Sequence, residues 1–312
     1  MSFNRGLSPN VVLTELDKVF YQEFNREDLG NYVNAESSSI FNQSTADNGA
    51  VKVESFGGIG YWQSRSEEAD VHSSSPRITN SATYTVSAYA DSVDIPKHFF
   101  DDQMHGSYEM MVRNFAEMAR VTRDRNAMKF WVDGFATNTT ADGANIFSNS
   151  HTTISGATVD NLDIAALSST SLNDALVGLM TQQDQAGVVR GCIGKVLLVP
   201  PALFKTACEL AEAELRPNTA NNEPNVFLTK FGIYVACSPH LSQLASGVSG
   251  ANAYWYLLAQ NHAMTRFVRQ GLTTDLVPYE FQRNNSYIYK GEFREVIGCQ
   301  DYIGLRASNG TA

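Results

Sequence analysis

Two histidines and two aspartates stand close together in the sequence, at a spacing that could bind a metal ion. They are His98, Asp101, Asp102 and His105. Residues four apart share one face of an α-helix, so each histidine would lie beside one aspartate, an imidazole next to a carboxylate. However, these residues precede a long predicted helix, where aspartate is favoured because it caps the helix and complements its dipole. The helix start explains the group without an ion, and we expect neither a metal nor any other cofactor.

The usual catalytic motifs do not occur in the sequence. It contains no Gly-x-Ser-x-Gly turn, no Walker-type phosphate loop and no His-Glu-x-x-His. The glycine-rich segment 57–60 lacks the strand, the helix and the spacing of a dinucleotide-binding loop. His151, His240 and His262 have no serine, cysteine or carboxylate partner at a recognisable spacing. We therefore predict a protein that is not an enzyme, and a soluble enzyme with a dispersed active site remains a remote alternative.

The four cysteines give no evidence of a metal centre. They are Cys192, Cys208, Cys237 and Cys299, each in an apolar or strand-like context and none in a Cys-x-x-Cys pair. This pattern favours reduced thiols in the core of a protein made in the cytoplasm. A disulfide or a metal site is the alternative.

Charge and hydropathy argue against a protein that grips nucleic acid and against one that spans a membrane. The formal net charge is -10, which argues against a broad basic face that grips nucleic acid. No stretch approaches the roughly 20 apolar residues of a membrane-spanning helix, and the first ten residues lack the apolar core of a signal peptide. The chain is expected to have no membrane partner.

The strongest periodic pattern covers residues 107–134 and predicts one unusually long helix. Apolar or small residues recur there in steps of three and four: Tyr108, Met111, Val112, Phe115, Ala119, Thr122, Asn126, Ala127, Phe130 and Trp131. The opposite face is predicted to carry Arg113, Glu117, Arg120, Arg123, Asp124 and Lys129. A helix of this length, roughly 40 Å at 1.5 Å per residue, needs an extended surface to lie on, most simply a long sheet. We call it the spine helix.

Residues 51–80 predict two strands joined by a long protruding excursion. The segment begins with strand-like alternation and continues through glycines, Tyr61 and Trp62, a charged run and Ser-Ser-Ser-Pro. Loops of this length are usually functional or interacting, and large aromatic residues are enriched at interface anchors. We name Phe56, Tyr61, Trp62 and Arg65 as candidates for contact with another subunit. The alternative is a small local cluster under the loop.

The N-terminal region is expected to be an arm that lies on another surface. Residues 11–24 predict a short amphipathic helix, and the polar stretch after it lacks the apolar residues to build a core. Phe20 and Phe24 of this helix are therefore two further candidates for contact with another subunit. After the spine helix, residues 160–262 alternate strands and helices, and the chain is β-rich from Thr265 to its end.

This order of elements resembles the major capsid proteins of tailed bacteriophages, which have the Hong Kong 97-type fold. The local similarities are YTVSAYADSVDIPKHFFDD before the spine helix, NIFSNSHTT after it, and then KVLLVPPALFKTACELA, FGIYVACSPHL, YWYLLAQ and EFREVIGCQDYIGLRASNG. The resemblance implies an α+β fold with an N-terminal arm (1–48), an extended β-hairpin or E-loop (49–82), a P domain with the spine helix (83–159), an α/β A domain (160–262) and P-domain return strands (263–312).

The resemblance also implies a function. Subunits would assemble as hexamers and pentamers into an icosahedral shell that encloses double-stranded DNA without sequence-specific binding. The partners would be other copies of the chain, a portal protein and separate scaffolding or decoration proteins. The chain would be made in the cytoplasm of a bacterial host and end in the virion capsid. An encapsulin-type nanocompartment shell, with the same fold and a protein cargo, is the alternative.

Overall fold

The computed structural model describes residues 9–26, 40–57, 59–102, 105–154, 156–215, 224–244, 251–278 and 285–310. The helices are α1 (Pro9–Phe24), α2 (Lys97–Asp101), α3 (His105–Val132), α4 (Ser169–Thr181), α5 (Pro201–Ala211) and α6 (Pro239–Leu244). The strands are β1 (Asn42–Thr45), β2 (Ala50–Gly57), β3 (Arg77–Thr85), β4 (Ser87–Pro96), β5 (His151–Thr152), β6 (Thr158–Val159), β7 (Leu162–Asp163), β8 (Gly194–Val199), β9 (Tyr234–Cys237), β10 (Trp255–Ala259), β11 (Met264–Val277), β12 (Ser286–Cys299) and β13 (Leu305–Ser308). None of the helices in these ranges is long and apolar enough to cross a membrane.

The spine helix predicted for 107–134 is α3, which has 28 residues and continues as a short 3-10 turn. At 1.5 Å per residue it is about 42 Å long. Its N-terminal half packs on α1 and on strands β4, β11 and β12, with Val112 and Tyr289 in that cluster. Its C-terminal half packs on β8 and β10 through Met128 and Trp131. The helix therefore joins two sheets, where a single long sheet was expected.

The two main sheets have different connections. The first has the order β1-β11-β12-β4, in which β1 runs parallel to β11 and the other neighbours are antiparallel. The second has the order β7-β13-β10-β8-β9, with parallel pairs at both edges. Helices α4 and α5 cover one face of the second sheet, and the spine helix covers the other. The last strand, β13, belongs to this second sheet, whereas β11 and β12 belong to the first, so the strands of residues 263–312 divide between the two sheets.

The N-terminal region is packed on its own subunit, which corrects the prediction that it has no internal partner. Helix α1 lies along the spine helix, and Asp17 accepts hydrogen bonds from Thr274 and Tyr289, both at 2.7 Å. Ile40 and Phe41 are buried in the core beside Trp131. The polar composition misled the prediction because only a few apolar side chains are needed to anchor the segment. Residues 27–39 lie outside the described part of the chain.

The middle of the spine helix buries charge that the sequence analysis assigned to the solvent face. Arg120, Arg123 and Asp124 are all buried. Arg123 lies between the rings of Phe24 and Phe293, with its guanidinium carbon 4.9 and 4.8 Å from the ring centroids. Burial lowers the pKa of Arg123 to about 10, against the opposing effect of Glu295. This face was misassigned because its partners come from α1 and from a strand at the far end of the chain.

Candidate functional site

Strands β2 and β3 form an antiparallel ribbon that ends in a long excursion, as predicted. The pairing runs from Ala50 with Thr85 to Gly57 with Arg77. Residues 59–76 between the strands contain no helix or strand. Strand β3 passes directly into β4, which belongs to the first sheet, so the ribbon projects from that sheet.

The excursion exposes the aromatic residues that the sequence analysis singled out. Trp62 is 96% exposed, Tyr61 69% and Phe56 65%. Arg65 is also exposed, and its Nε donates to the carbonyl of Ala69 at 2.5 Å. The alternative of a local cluster under the loop is wrong for Trp62, because a side chain with this exposure is not packed against the described part of the subunit. An apolar surface of this kind is typical of a protein–protein interaction site.

Several contacts hold the ribbon and the start of the excursion to the rest of the subunit, among them a hydrogen bond of 2.5 Å from Nε2 of Gln300 to the carbonyl of Glu54. The Tyr61 hydroxyl accepts a hydrogen bond from the backbone N–H of Val189 at 3.2 Å. The root of the ribbon is the end where Ala50 pairs with Thr85. There the Tyr84 hydroxyl lies 2.7 Å from the carbonyl of Thr139 and 2.9 Å from the carbonyl of Cys299. The same hydroxyl accepts a hydrogen bond from the backbone N–H of Cys299. The ring of Tyr84 leaves no room for a side chain at position 298, where the chain has glycine. Tyr84 therefore fastens the root, while the tip stays exposed.

Phe20 and Phe24 are not available for contact with another subunit. They are 0% and 5% exposed, and both belong to the cluster that joins α1 to the spine helix. The ring of Phe20 lies 5.6 Å from that of Phe115 and 5.8 Å from that of Tyr289. The prediction for these two residues is corrected accordingly, since the amphipathic face of α1 is satisfied within the subunit.

An apolar groove that no motif in the sequence indicates lies beside the spine helix. The groove has a volume of about 290 Å³. Its lining includes Tyr89, Phe115, Met118, Leu272 and Phe293. These residues come from β4, the spine helix, β11 and β12, so no local pattern could indicate the groove. The one local signal is Met118, an apolar side chain more than half exposed on the outer face of a helix.

A second cavity, of about 460 Å³, lies beside the end of the ribbon from which the excursion starts. Ser55 and Phe56 line one side, and Asp184, Arg190 and Asp301 are among the residues opposite. Burial raises the pKa of Asp301 to about 6; the backbone N–H of Tyr302 opposes this, and the charge of Asp142 adds to it. The folded subunit therefore holds a carboxyl group that resists ionisation in mildly acidic solution.

Asp301→Asn should stabilise the subunit above neutral pH. The pKa of Asp301 in the folded state, about 6, lies above its ordinary value of 3.8. As the pH rises from about 4 to about 6, the unfolded state releases this proton first, so wild-type stability falls through that window. The variant has no such ionisable group, so its stability does not fall in this window. We expect its free energy of unfolding to exceed that of the wild type by about 2–3 kcal/mol at pH 8 and to equal it below pH ~4. Urea unfolding of both proteins across this range measures the difference, with exposed Asp70→Asn as the control; an equal offset at every pH would contradict the assignment.

The residues first considered as a metal site do not form one helical face. His98 belongs to α2 and His105 begins the spine helix, so the two helices are separate. The ring of His98 packs edge-on against Phe99 with centroids 5.0 Å apart. Within the described ranges, no group of three or more His, Cys, Asp or Glu side chains is arranged to hold a metal ion. The four cysteines, two of them buried, are free thiols.

Comparison with solved structures shows a shared architecture at low sequence identity. A virus-like particle from Pyrococcus furiosus aligns with a TM-score of 0.57 and 8% identity, over 95% of this chain and 99% of that chain. The capsid of cyanophage P-SCSP1u aligns with a TM-score of 0.55 and 12% identity, over 86% of each chain. The capsid of Myoviridae phage XM1 aligns with a TM-score of 0.52 and 11% identity, over 91% of this chain and 92% of that chain. A search of curated protein sequences finds no match.

The amino-acid sequence matches the model of a known protein family. A family model described as "Phage capsid protein" matches residues 79–308, which is well over half of the chain. The match begins in β3 and takes in the spine helix, the second sheet and all of the first sheet except β1. The α+β architecture, with its ribbon, spine helix and two sheets, is the Hong Kong 97-type fold. The chain belongs to the phage capsid protein family.

Proposed function

We propose that this chain is the major capsid protein of a tailed bacteriophage. Subunits assemble as hexamers and pentamers into an icosahedral shell around double-stranded DNA, with a portal protein and separate scaffolding or decoration proteins as further partners. The chain is made in the host cytoplasm, resides in the virion capsid and acts as a structural protein rather than an enzyme. The domain limits predicted above, from the arm to the return strands, belong to this proposal.

The observation that carries the proposal is the excursion of residues 59–76. An isolated soluble protein gains nothing from a fully exposed tryptophan at the end of a long ribbon, whereas a shell subunit needs such a projection to reach its neighbours. Stable interfaces bury about 1,200–2,000 Å² in total and concentrate their binding energy in a few aromatic or arginine anchors. Trp62, Tyr61 and Phe56 are exposed anchors of this type. In a closed shell each contact is repeated, so modest affinities combine.

The groove beside the spine helix is the surface that we assign to a neighbouring copy. Its aromatic and methionine lining suits the flat ring of Trp62, and its volume of about 290 Å³ accommodates one or two large side chains. Both the anchor and its receptor lie on the same chain. One subunit can therefore donate its excursion to the next and receive another, which is the head-to-tail arrangement that closes into rings.

Met118→Asp should impair assembly while leaving the subunit folded. Met118 lines the groove and is more than half exposed, so a carboxylate at this position stays hydrated in the monomer. When an aromatic side chain of a neighbouring copy binds in the groove, that carboxylate loses its hydration, which opposes binding. We expect at least a tenfold rise in the subunit concentration needed for assembly, equivalent to about 1.4 kcal/mol per contact. Met110→Asp is the matched control, because Met110 lies on the same helix outside the groove and is 61% exposed, against 54% for Met118. Light scattering against concentration measures both; equal behaviour of the two variants would exclude the groove.

An encapsulin-type shell is the second candidate, and the similarity to the Pyrococcus furiosus virus-like particle over 99% of that chain favours it. The cargo distinguishes the two. Particles from the native source should be treated with nuclease and then extracted. Protected double-stranded DNA supports the phage head, and a folded enzyme inside nucleic-acid-free shells supports the encapsulin.

A further inference from the structure

The sequence contains two Asn-Gly dipeptides, and the structure places them in different environments. They are Asn48–Gly49 and Asn309–Gly310. An asparagine that precedes glycine loses its side-chain amide readily, because glycine has no Cβ to hinder its own backbone nitrogen and adopts many backbone conformations. In a folded protein, the reaction then depends on how firmly the surrounding structure holds that nitrogen.

The reaction needs water and no other reagent. The backbone nitrogen of the glycine forms a bond to the side-chain carbonyl carbon of the asparagine, and the C–N bond of the side-chain amide breaks. The proton of the attacking nitrogen leaves with the amide nitrogen as ammonia, and a cyclic succinimide remains. Water then adds to either carbonyl carbon of this ring and breaks the adjoining C–N bond. The product is aspartate or isoaspartate, and isoaspartate lengthens the backbone by one carbon.

The first dipeptide lies in the exposed bend of residues 47–49, between β1 and β2. Among the described residues, neither the side-chain amide of Asn48 nor the backbone N–H of Gly49 has a hydrogen-bond partner. A Cβ placed at position 49 would meet no atom within 4 Å, so the space beside this part of the backbone is open. The nitrogen of Gly49 can therefore approach the Asn48 side chain without breaking a hydrogen bond of the described structure.

The second dipeptide is held against the second sheet. The N–H of Gly310 donates to the hydroxyl of Ser308 at 3.1 Å, and the N–H of Asn309 donates to the carbonyl of Asp163 at 3.2 Å. A Cβ at position 310 would overlap the carbonyl oxygen of Ala253, so the backbone is tightly packed there. The nitrogen of Gly310 can attack only after this segment opens locally.

The bend that contains Asn48 is short and is anchored on both sides. On the side of the first sheet, the N–H of Ala46 donates to the carbonyl of Val268 at 3.0 Å. At the root of the ribbon, the carbonyl of Gly49 accepts from the N–H of Val86 at 2.9 Å. An isoaspartate at position 48 adds a backbone carbon between these two anchors, which displaces the Gly49 carbonyl from its donor.

We propose that Asn48 is a site of spontaneous deamidation and that its conversion to isoaspartate loosens the root of the ribbon. The reaction also replaces a neutral amide by a carboxylate beside Asp47, which adds negative charge to the exposed bend. The site belongs to the single subunit and depends neither on shell assembly nor on the proposed function. In a chain that builds a shell, the ribbon of an aged subunit is less firmly attached than that of a new one.

Mass spectrometry of the full-length chain tests the site. The protein is incubated in mildly alkaline solution, which favours loss of the proton from the attacking nitrogen, and peptide mapping with electron-transfer fragmentation distinguishes aspartate from isoaspartate. In the folded protein, Asn48 should convert at least about tenfold faster than Asn309, because only the second site must open first. In urea the two sites should convert at similar rates. Equal rates in the folded protein, or faster conversion at Asn309, would overturn the proposal.

Gly49→Ala is the matched variant for the chemistry. Its methyl group fits the open space at position 49, so the fold is retained, but it hinders the attacking nitrogen. Conversion at Asn48 should fall at least about tenfold, and conversion at Asn309 should not change. An undiminished rate at Asn48 in this variant would rule out attack by the backbone nitrogen of residue 49.

Hydrogen exchange tests the consequence for the ribbon. The N–H of Val86 should exchange on the order of tenfold faster in protein converted to isoaspartate than in fresh protein, because its acceptor at Gly49 has moved. Gly49→Ala aged in the same way should keep the exchange rate of its fresh sample. Unchanged exchange at Val86 in fully converted protein would contradict the loosening of the root, whether or not the chain forms a shell.

Discussion

Replacing residues 58–76 by a two-residue Asn-Gly turn should give a folded subunit that does not form shells. The replacement joins β2 to β3 through a hairpin turn suited to the twist of a two-stranded ribbon. It removes exposed apolar side chains, Trp62 and Tyr61 foremost, and only one described hydrogen bond to the rest of the subunit, that of Tyr61 to Val189. The free energy of unfolding should therefore change by less than about 1 kcal/mol.

The loss in assembly should be much larger. Truncating an aromatic anchor typically weakens an interface by 2 kcal/mol or more, roughly 30-fold, and the excursion carries several such residues. We expect the assembly concentration to rise by at least about 100-fold. Trp62→Ala alone should show part of this effect, and Ile164→Ala, a truncation at an exposed site elsewhere, should show none. Particles of normal size from the shortened chain would contradict the role assigned to the excursion.

Glu295→Gln should destabilise the subunit by about 3–5 kcal/mol, because it leaves two buried arginines without their shared negative charge. Arg266 donates to Oε2 of Glu295 from Nη2 at 2.6 Å and from Nε at 2.9 Å, and Nε of Arg123 lies 3.4 Å from the same oxygen. All three side chains are buried. The site joins α1, the spine helix, β11 and β12, so its loss affects the region on which the ribbon stands.

Equilibrium unfolding in urea measures this effect. Asp275→Asn is the matched control, since Asp275 forms an exposed pair with Lys290 at 3.0 Å, and such pairs contribute about 1 kcal/mol or less. A glutamine variant that loses no more stability than the control would show that the buried charges do not depend on Glu295.

The parts of the fold that the sequence predicts are those with local patterns. The spine helix has a stripe with helical period, and the ribbon has strand alternation on both sides of a polar run, so each was placed to within a few residues. The exposure of Trp62 and Tyr61 followed from the absence of apolar neighbours in the excursion.

The features that the sequence does not predict depend on residues far apart in the chain. The local pattern predicts that Arg123 lies on the surface, but in the folded chain Glu295 and Phe293 of β12 contact it. The local pattern predicts that Phe20 and Phe24 are available for contact with another subunit, but the spine helix packs against both. The groove is likewise a product of tertiary packing, and so is the buried pair of His151 with Asp142, whose Nδ1 and Oδ2 lie 2.7 Å apart. The same limit applies to residues 263–312, whose pattern predicts strands but does not show that β13 joins a different sheet from β11 and β12.

Electron microscopy of the purified full-length chain, with light scattering on the same sample, tests the central claim most directly. A capsid protein should form closed shells of uniform size, or rings of five and six subunits that grow into shells as the concentration rises. A stable monomer or dimer over the whole concentration range would contradict the proposal that this chain builds a shell.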